Sequence, residues 1–424
     1  MSAALLLAAW AHAATYKSAI IEEIPAPDAR GWSGQVDHNP IPQWSRALPG
    51  RPMTSAAHAE RTRPVFTAAG ILVGSAAGSE LYLLDRRDGG VIRSFAANTS
   101  VEAEPVVDGE DVIFTDTGGG VWCYSLKGEL RWKFDTRTPA VTRPTVAQGK
   151  VIITTVDDLV VTLDRATGAL AWRFQPEPDL LRKNELALYA APPATVVGDN
   201  VLAGFSDGTL ISLELATGDV SWGIHIGEGR YPDIVADPTL GDSGTIFASG
   251  YFEPLIAYRP STGVVWSLDI GAAARALWIP VEGGGTLVHP GTDGKLRALD
   301  GTTGDERWSW SSGTDGSLTA PQLTPAGILV GSTSGTLWLV DAATGEERWH
   351  YEPMRVMEGV STAPAIDGRQ VVFVTNAGRI YSLLAPAAEV PRPTVEWRWR
   401  RPDLDETLVQ PLPGPGRKKT VAER

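Results

Sequence analysis

The sequence predicts an all-β protein, an eight-bladed β-propeller of four-stranded antiparallel blades, and three observations carry that prediction. A unit of 39 to 49 residues recurs, opening at Pro64, Pro105, Pro144, Pro193, Pro238, Pro280, Pro321 and Pro364. Each copy holds about four strand-length runs rich in β-branched residues, with Gly or Asp at the turns, as in Asp207-Gly208, Asp293-Gly294 and Asp367-Gly368. An Asp-x-x-Thr-Gly turn then recurs with a Trp behind it, most clearly in Asp341-Ala-Ala-Thr-Gly345-Glu-Glu-Arg-Trp349. A four-stranded unit of this length cannot cover both of its faces. Repeated radially, each sheet covers the next.

Taken in chain order, residues 1–14 form an apolar run ending in Ala11-His12-Ala13, the length and small-residue exit of a signal peptide. No Lys or Arg precedes Lys17, so the basic start of such a peptide is missing, and an apolar helix retained in the fold is the alternative. Residues 15–40 read as a linker. Residues 41–49, Ile-Pro-Gln-Trp44-Ser-Arg-Ala-Leu-Pro, look like a fourth strand lacking its first three. The eighth copy shows the converse, ending at Arg379-Ile-Tyr-Ser-Leu383 with no Thr-Gly turn after it. Pairing these two segments closes a ring over residues 41–385 without a disulfide; Val395–Arg400 is the other candidate latch. In the third copy the predicted strands are Thr145–Ala147, Val151–Thr155, Val160–Asp164 and Leu170–Phe174. The last segment, 386–424, holds seven Pro and a basic cluster at Arg398, Arg400 and Arg401, and reads as an extended, solvated tail.

Composition excludes several function classes. The net charge is −13, which argues against a nucleic-acid partner. Cys123 is the single cysteine, which excludes an internal disulfide and any Cys-based metal centre. The six His are scattered, with no metal-ligand spacing among them. No phosphate-binding Gly-rich loop or Gly-x-Ser-x-Gly elbow is present either. No apolar stretch is long enough to span a bilayer as a helix.

Fifteen Trp is the unusual count, and the repeat absorbs much of it. Trp132, Trp172, Trp222, Trp308 and Trp349 each follow the turn Gly by four residues and Trp266 by three, while Trp44 belongs to the orphan strand. These seven are expected to wedge between blades with the indole N–H bonded to a backbone carbonyl. In the first copy Arg93 stands at the Trp position. Trp278, Trp310 and Trp338 either line a ligand surface or pack between sheets.

This repeat is similar to that of the pyrroloquinoline quinone-like repeat family, which includes quinoprotein dehydrogenases and the outer-membrane assembly factor BamB branch. The resemblance covers about residues 41–385 and implies a propeller fold. Eight copies, a strand supplied from the N-terminal side and the ending Ile380-Tyr381-Ser382-Leu383 resemble the BamB branch more closely. The quinoprotein branch implies a carboxylate base, a calcium-like ion and commonly a vicinal Cys pair, which this sequence does not supply. The expectation is therefore a non-catalytic periplasmic scaffold without cofactor or metal, monomeric within a larger complex. It would assist insertion of β-barrel proteins into the outer membrane. An exported propeller binding a small molecule or an envelope polymer is the alternative from another class.

The resemblance also implies a partner, the barrel-insertion subunit BamA, contacted through two inter-blade loops. In the first loop Leu181 and Arg182 match the end of a Leu-x-Leu-Arg element; Asp179 stands at its first position and Leu180 is adjacent. Sliding the longer loop would instead place Leu186-Ala187 at the Leu-Arg position. In the second loop Asp233 matches the first residue of an Asp-x-Asp element, and Val235 replaces the second. Leu180, Leu181, Arg182 and Asp233 are the candidate partner-binding residues. An Arg182–Asp233 pair that merely ties the two loops together is the competing reading. The family's usual lipid anchor is not supported, because no Cys precedes Cys123.

Overall fold

The computed structural model describes residues 32–33, 40–49, 60–177, 190–227, 231–281, 284–314, 316–353, 358–360 and 362–385. The proposed signal peptide, nearly all of the linker, and the tail with its alternative latch lie outside the described residues.

Eight antiparallel sheets are arranged along the chain, and in seven of them the four blade strands come in sequence order. Blade 1 runs from Val65–Thr67 to Val91–Ala96, blade 2 from Val106–Asp108 to Leu130–Asp135, and blade 3 from Thr145–Ala147 to Leu170–Phe174. Blades 4, 5 and 6 end on Val220–His225, Gly263–Leu268 and Glu306–Ser311, and blade 7 on Glu347–Tyr351. Blade 8 takes three strands from Ala365–Leu384 and its fourth, Ile41–Ala47, from the other end of the chain, with Ile41 opposite Leu384 and Ala47 opposite Arg379. Trp44 thus closes the ring as its sequence position predicts.

The predicted strands of blade 3 agree with those observed, except that the second is Lys150–Thr154, one residue earlier at each end. Copy six needs a correction. Its inner strand is Leu277–Ile279, so Pro280 terminates the strand that it was expected to open. Proline has no N–H to give a ladder and suits either boundary, and here a turn follows in which Gly284 N donates to Val281 O.

Every blade buries its apolar residues against its neighbours. Eight core clusters are each drawn chiefly from two consecutive blades: Trp44, Ile71, Val73 and Val372 join blades 8 and 1, and Leu329, Leu337, Phe373 and Tyr381 join blades 7 and 8. No blade has a private core, which is why the unit must be repeated into a ring.

Two local devices set the docking residues. First, the register shifts once between the third and fourth strands of all eight blades, at the residue just before the Trp position: Gln43, Ile92, Arg131, Ala171, Ser221, Val265, Arg307 and Arg348. A bulge re-aims the side chain that follows it, here toward the next blade. Second, the indole lands on the turn Gly of that next blade. A Cβ on Gly89, Gly168, Gly218, Gly304 or Gly345 would lie 2.6–2.9 Å from the ring of Trp44, Trp132, Trp172, Trp266 or Trp308. The same glycines have φ between 70° and 82°, so both conformation and contact demand Gly there.

The indole N–H groups behave as predicted in five cases, donating to Arg86 O, Arg165 O, Leu215 O, Gly301 O and Ala342 O from Trp44, Trp132, Trp172, Trp266 and Trp308 at 2.9–3.2 Å. Two cases depart. Trp349 faces blade 8, which lacks the Thr-Gly turn, and its buried Nε1 has no hydrogen-bond partner among the described residues. Trp222 faces the altered turn of blade 5, where Gly263 meets nothing, and packs beside Tyr258 at 5.1 Å instead. Arg93 occupies the same seat as the tryptophans, its Nη1 lying 2.8 Å from where a Cβ on Gly128 would be. Trp278, Trp310 and Trp338 pack into the inter-blade clusters.

One further pairing lies outside the repeat. Trp32–Ser33 runs antiparallel along the outer strand of blade 7, Trp32 opposite Tyr351 and Ser33 opposite His350, making that sheet five-stranded.

Candidate functional site

Antiparallel order within a blade puts the inter-blade connections and the turns between second and third strands at one end of the ring. The Thr-Gly turns with their tryptophans lie at the other. The two predicted contact loops therefore belong to the connection face.

Leu180, Leu181 and Arg182 lie outside the described residues. Of the second loop, residues 231–237 are described and sit firmly on the blades. Pro232 packs at Gly208, and Ile234 is buried against Gly204 with its N–H donating to Phe205 O at 3.2 Å. Asp233 is 2% exposed, and its carbonyl accepts Tyr251 N–H at 2.9 Å. Above it the surface is aromatic. Phe252 is 54% exposed, 4.4 Å from the ring of Tyr251 and 6.3 Å from that of Tyr231. Phe252 also borders a recess of about 180 Å³ with Asp269, Ile270, Gly271, Thr292 and Asp293. That volume is below the usual range for a cofactor site.

Toward the axis the same face carries an ion cluster that motif reading did not find. Arg63 of blade 1 bonds Glu104 at 3.2 Å and, with its other terminal nitrogen, Gln322 of blade 7 at 2.9 Å. Asp237, at the entrance to blade 5, lies 3.1 Å from Arg275 and 3.6 Å from Arg143, at the entrance to blade 3. Side chains from non-adjacent blades meet across the inside of the ring, so this cluster marks its axis. Burial pushes the Asp237 carboxyl above the usual carboxylate range, against the pull of Arg275 and Arg143. Both carboxylates of this cluster already face guanidinium groups, so they do not fit as ligands for the quinone-bound cation of the dehydrogenase branch. Among the described residues no three His, Cys, Asp or Glu side chains converge as a metal site.

Cys123 is fully buried within blade 2, and burial raises its thiol to a pKa of about 11. In the folded protein it is expected to resist a maleimide at pH 7 and to react once denatured; mass spectrometry of the labelled chain checks this.

Geometry defines the class first: a closed eight-bladed propeller built from a Trp-docking repeat. The family model described as "Outer membrane protein assembly factor BamB" matches residues 77–279 and 254–390, and the chain belongs to that family. A stretch of 135 residues is 25% identical to the outer membrane protein assembly factor BamB of Burkholderia pseudomallei (strain K96243), covering 30% of this chain and 35% of that one. The match thus spans about a third of that relative's length. Among solved structures, BamB from Moraxella catarrhalis superposes with a TM-score of 0.68 at 16% identity, covering 82% of this chain and all of that one. The designed Ika8 protein gives 0.63 at 16% identity, over 81% of this chain and 99% of its own. A quinohemoprotein alcohol dehydrogenase from Pseudomonas putida HK5 gives 0.61 at 14%, over 83% of this chain and 78% of its own. At these identities the structural likenesses establish the fold alone. No helix among the described residues is long and apolar enough to cross a membrane.

Proposed function

We propose that the protein is a non-catalytic scaffold of the periplasm that assists assembly of β-barrel proteins into the outer membrane by docking on a BamA-type subunit. The observation that carries this reading is the family match over most of the propeller, including the connection face. A firmly packed loop under an exposed aromatic surface suits a protein contact, since preorganised aromatic and Arg anchors dominate interface energies. In this proposal Leu180, Leu181 and Arg182 make the contact. Asp233, being buried, positions the neighbouring loop.

A pulldown from envelope extracts tests it. The wild type is expected to recover the BamA-type subunit, and Arg182→Glu to reduce recovery about tenfold, the loss of one modest hot spot. Recovery of no barrel-assembly component by the wild type overturns the function. Equal recovery by wild type and variant overturns the assignment of Arg182 while leaving the function standing.

A further inference from the structure

An outer strand of a propeller blade presents a row of backbone N–H and C=O groups to solvent, and such edges recruit other strands unless something guards them. Here the bulges guard the first half of each outer strand, because the ladder is broken at the residue before the Trp position. The regular half remains. In blade 2 that half is Trp132–Asp135, with Lys133 and Asp135 as additional charged guards, and in blade 8 it carries Arg46. In blade 7 it is Trp349-His350-Tyr351, without a Lys, Arg, Asp or Glu. Blades 4, 5 and 6 are likewise uncharged from Trp222, Trp266 and Trp308 onward, so blade 7 is set apart by the strand that pairs with it. The nearest charged side chains there are engaged elsewhere. Arg348 reaches Asp341 and donates to Ala326 O at 2.7 Å, and Glu347 holds His350 Nδ1 at 2.6 Å.

A strand is seated on that half. Trp32 and Ser33 pair with Tyr351 and His350, and the sequence around them, Gly31-Trp-Ser-Gly34, is uncharged. The backbone pairing therefore shows on the chain itself the kind of ligand the edge accepts: an extended, antiparallel segment, here one of uncharged sequence. Its hold is short, two register pairs, and an isolated pairing of that length is marginal in water.

We propose that the outer edge of blade 7 is a strand-acceptor site for an extended uncharged peptide segment, and that residues 32–33 are its resident, displaceable occupant. Main-chain pairing supplies the affinity of such a site, and the side chains facing Trp349 and Tyr351 supply its selectivity. The resident strand lowers the apparent affinity for an incoming one by the fraction of time it occupies the edge. The site lies on the rim of the ring, away from the loops invoked for subunit docking, and it stands whether or not that docking reading holds.

The test uses the full chain and a fluorescent, end-capped peptide of residues 31–36, which carries no charged side chain. In a Ser33→Cys, His350→Cys double variant the two thiols are opposite in register, and a short bismaleimide is expected to join them while buried Cys123 stays unmodified. The peptide is expected to bind the wild type, to lose binding to the cross-linked variant, and to bind Trp32→Pro about tenfold more tightly, because that change removes a backbone donor from the resident strand. Binding that is equal in the cross-linked variant and the wild type overturns the proposal, as does a Trp32→Pro chain with unchanged affinity. Failure of the two cysteines to cross-link overturns the resident strand itself.

Discussion

Trp44→Ala is expected to destabilise the propeller by about 3–5 kcal/mol, the usual cost of truncating a buried aromatic. Trp44 is 8% exposed, donates to Arg86 O at 3.0 Å and lies against Gly89 of blade 1. Its strand is the single element of blade 8 that the chain does not deliver in sequence, so nothing but pairing and packing holds it there. The nearby Arg46–Asp88 ion pair, 3.9 Å long and exposed on both sides, contributes little. Trp132→Ala is the control, because Trp132 is as deeply buried (7%) in a blade whose four strands are continuous in sequence. Both variants are expected to lower the urea midpoint. Trp44→Ala should in addition lower the denaturant slope and open the segment around Ile41–Ala47 to protease, since release of the closing strand uncouples blade 8 from blade 1. Equal slopes and equal proteolysis in the two variants would show that ring closure does not depend on this residue.

That prediction rests on parts of the fold legible in the sequence. The period, the blade count, the orphan strand at Trp44 and the seven docking tryptophans are local signals, written in residue type and spacing. The turn glycines were legible for their positive φ but not for their second job. Seating a ring on Gly168 or Gly218 requires knowing which face the preceding blade presents, and that follows from a bulge with no residue signature of its own. Arg93 shows the consequence. It breaks the Trp pattern, yet the bulge at Ile92 aims it at Gly128 just as an indole would be aimed. The axial cluster was hidden for a different reason. Arg63, Glu104, Arg143 and Asp237 come from four separate repeats and become neighbours once the ring closes. Each stands just before a Pro that opens an inner strand, a common position that could have flagged them. The seated strand at Trp32–Ser33 left no signal in the repeat at all, because pairing through the backbone is nearly indifferent to sequence. For the proposed partner site, the sequence singled out the loop containing Asp233 but gave no sign of that residue's burial, alongside Tyr251 of the next blade.

Acid is expected to weaken the fold through His289. His289 lies in the second strand of blade 6, is 1% exposed, and its Nε2–H donates to Gly271 O at 3.2 Å. Its Nδ1 is then an unprotonated, buried atom with no hydrogen-bond partner among the described residues. Burial holds the ring neutral and lowers its pKa from 6.5 to about 4; the Gly271 carbonyl opposes this, as does Asp293, while Arg297 adds to it. The unfolded chain therefore takes up a proton at a higher pH than the folded one. This contribution to stability is complete above pH 6.5 and declines as the pH falls to about 4, by roughly 3 kcal/mol in all. Asp237 acts with the opposite sign, since its raised pKa means the folded state binds a proton first and gains stability as the pH falls toward the ordinary carboxylate range. Asp341 titrates lower still, at about 2, because Arg348 and the turn N–H groups hold its carboxylate ionised, so its stabilisation is lost below pH 4 and outside the histidine window. His289→Gln keeps a donor for Gly271 O and removes the titration. Urea midpoints of the variant between pH 7 and pH 4.5 are expected to fall by clearly less than those of the wild type. Parallel pH profiles would mean that His289 already carries its proton in the folded state.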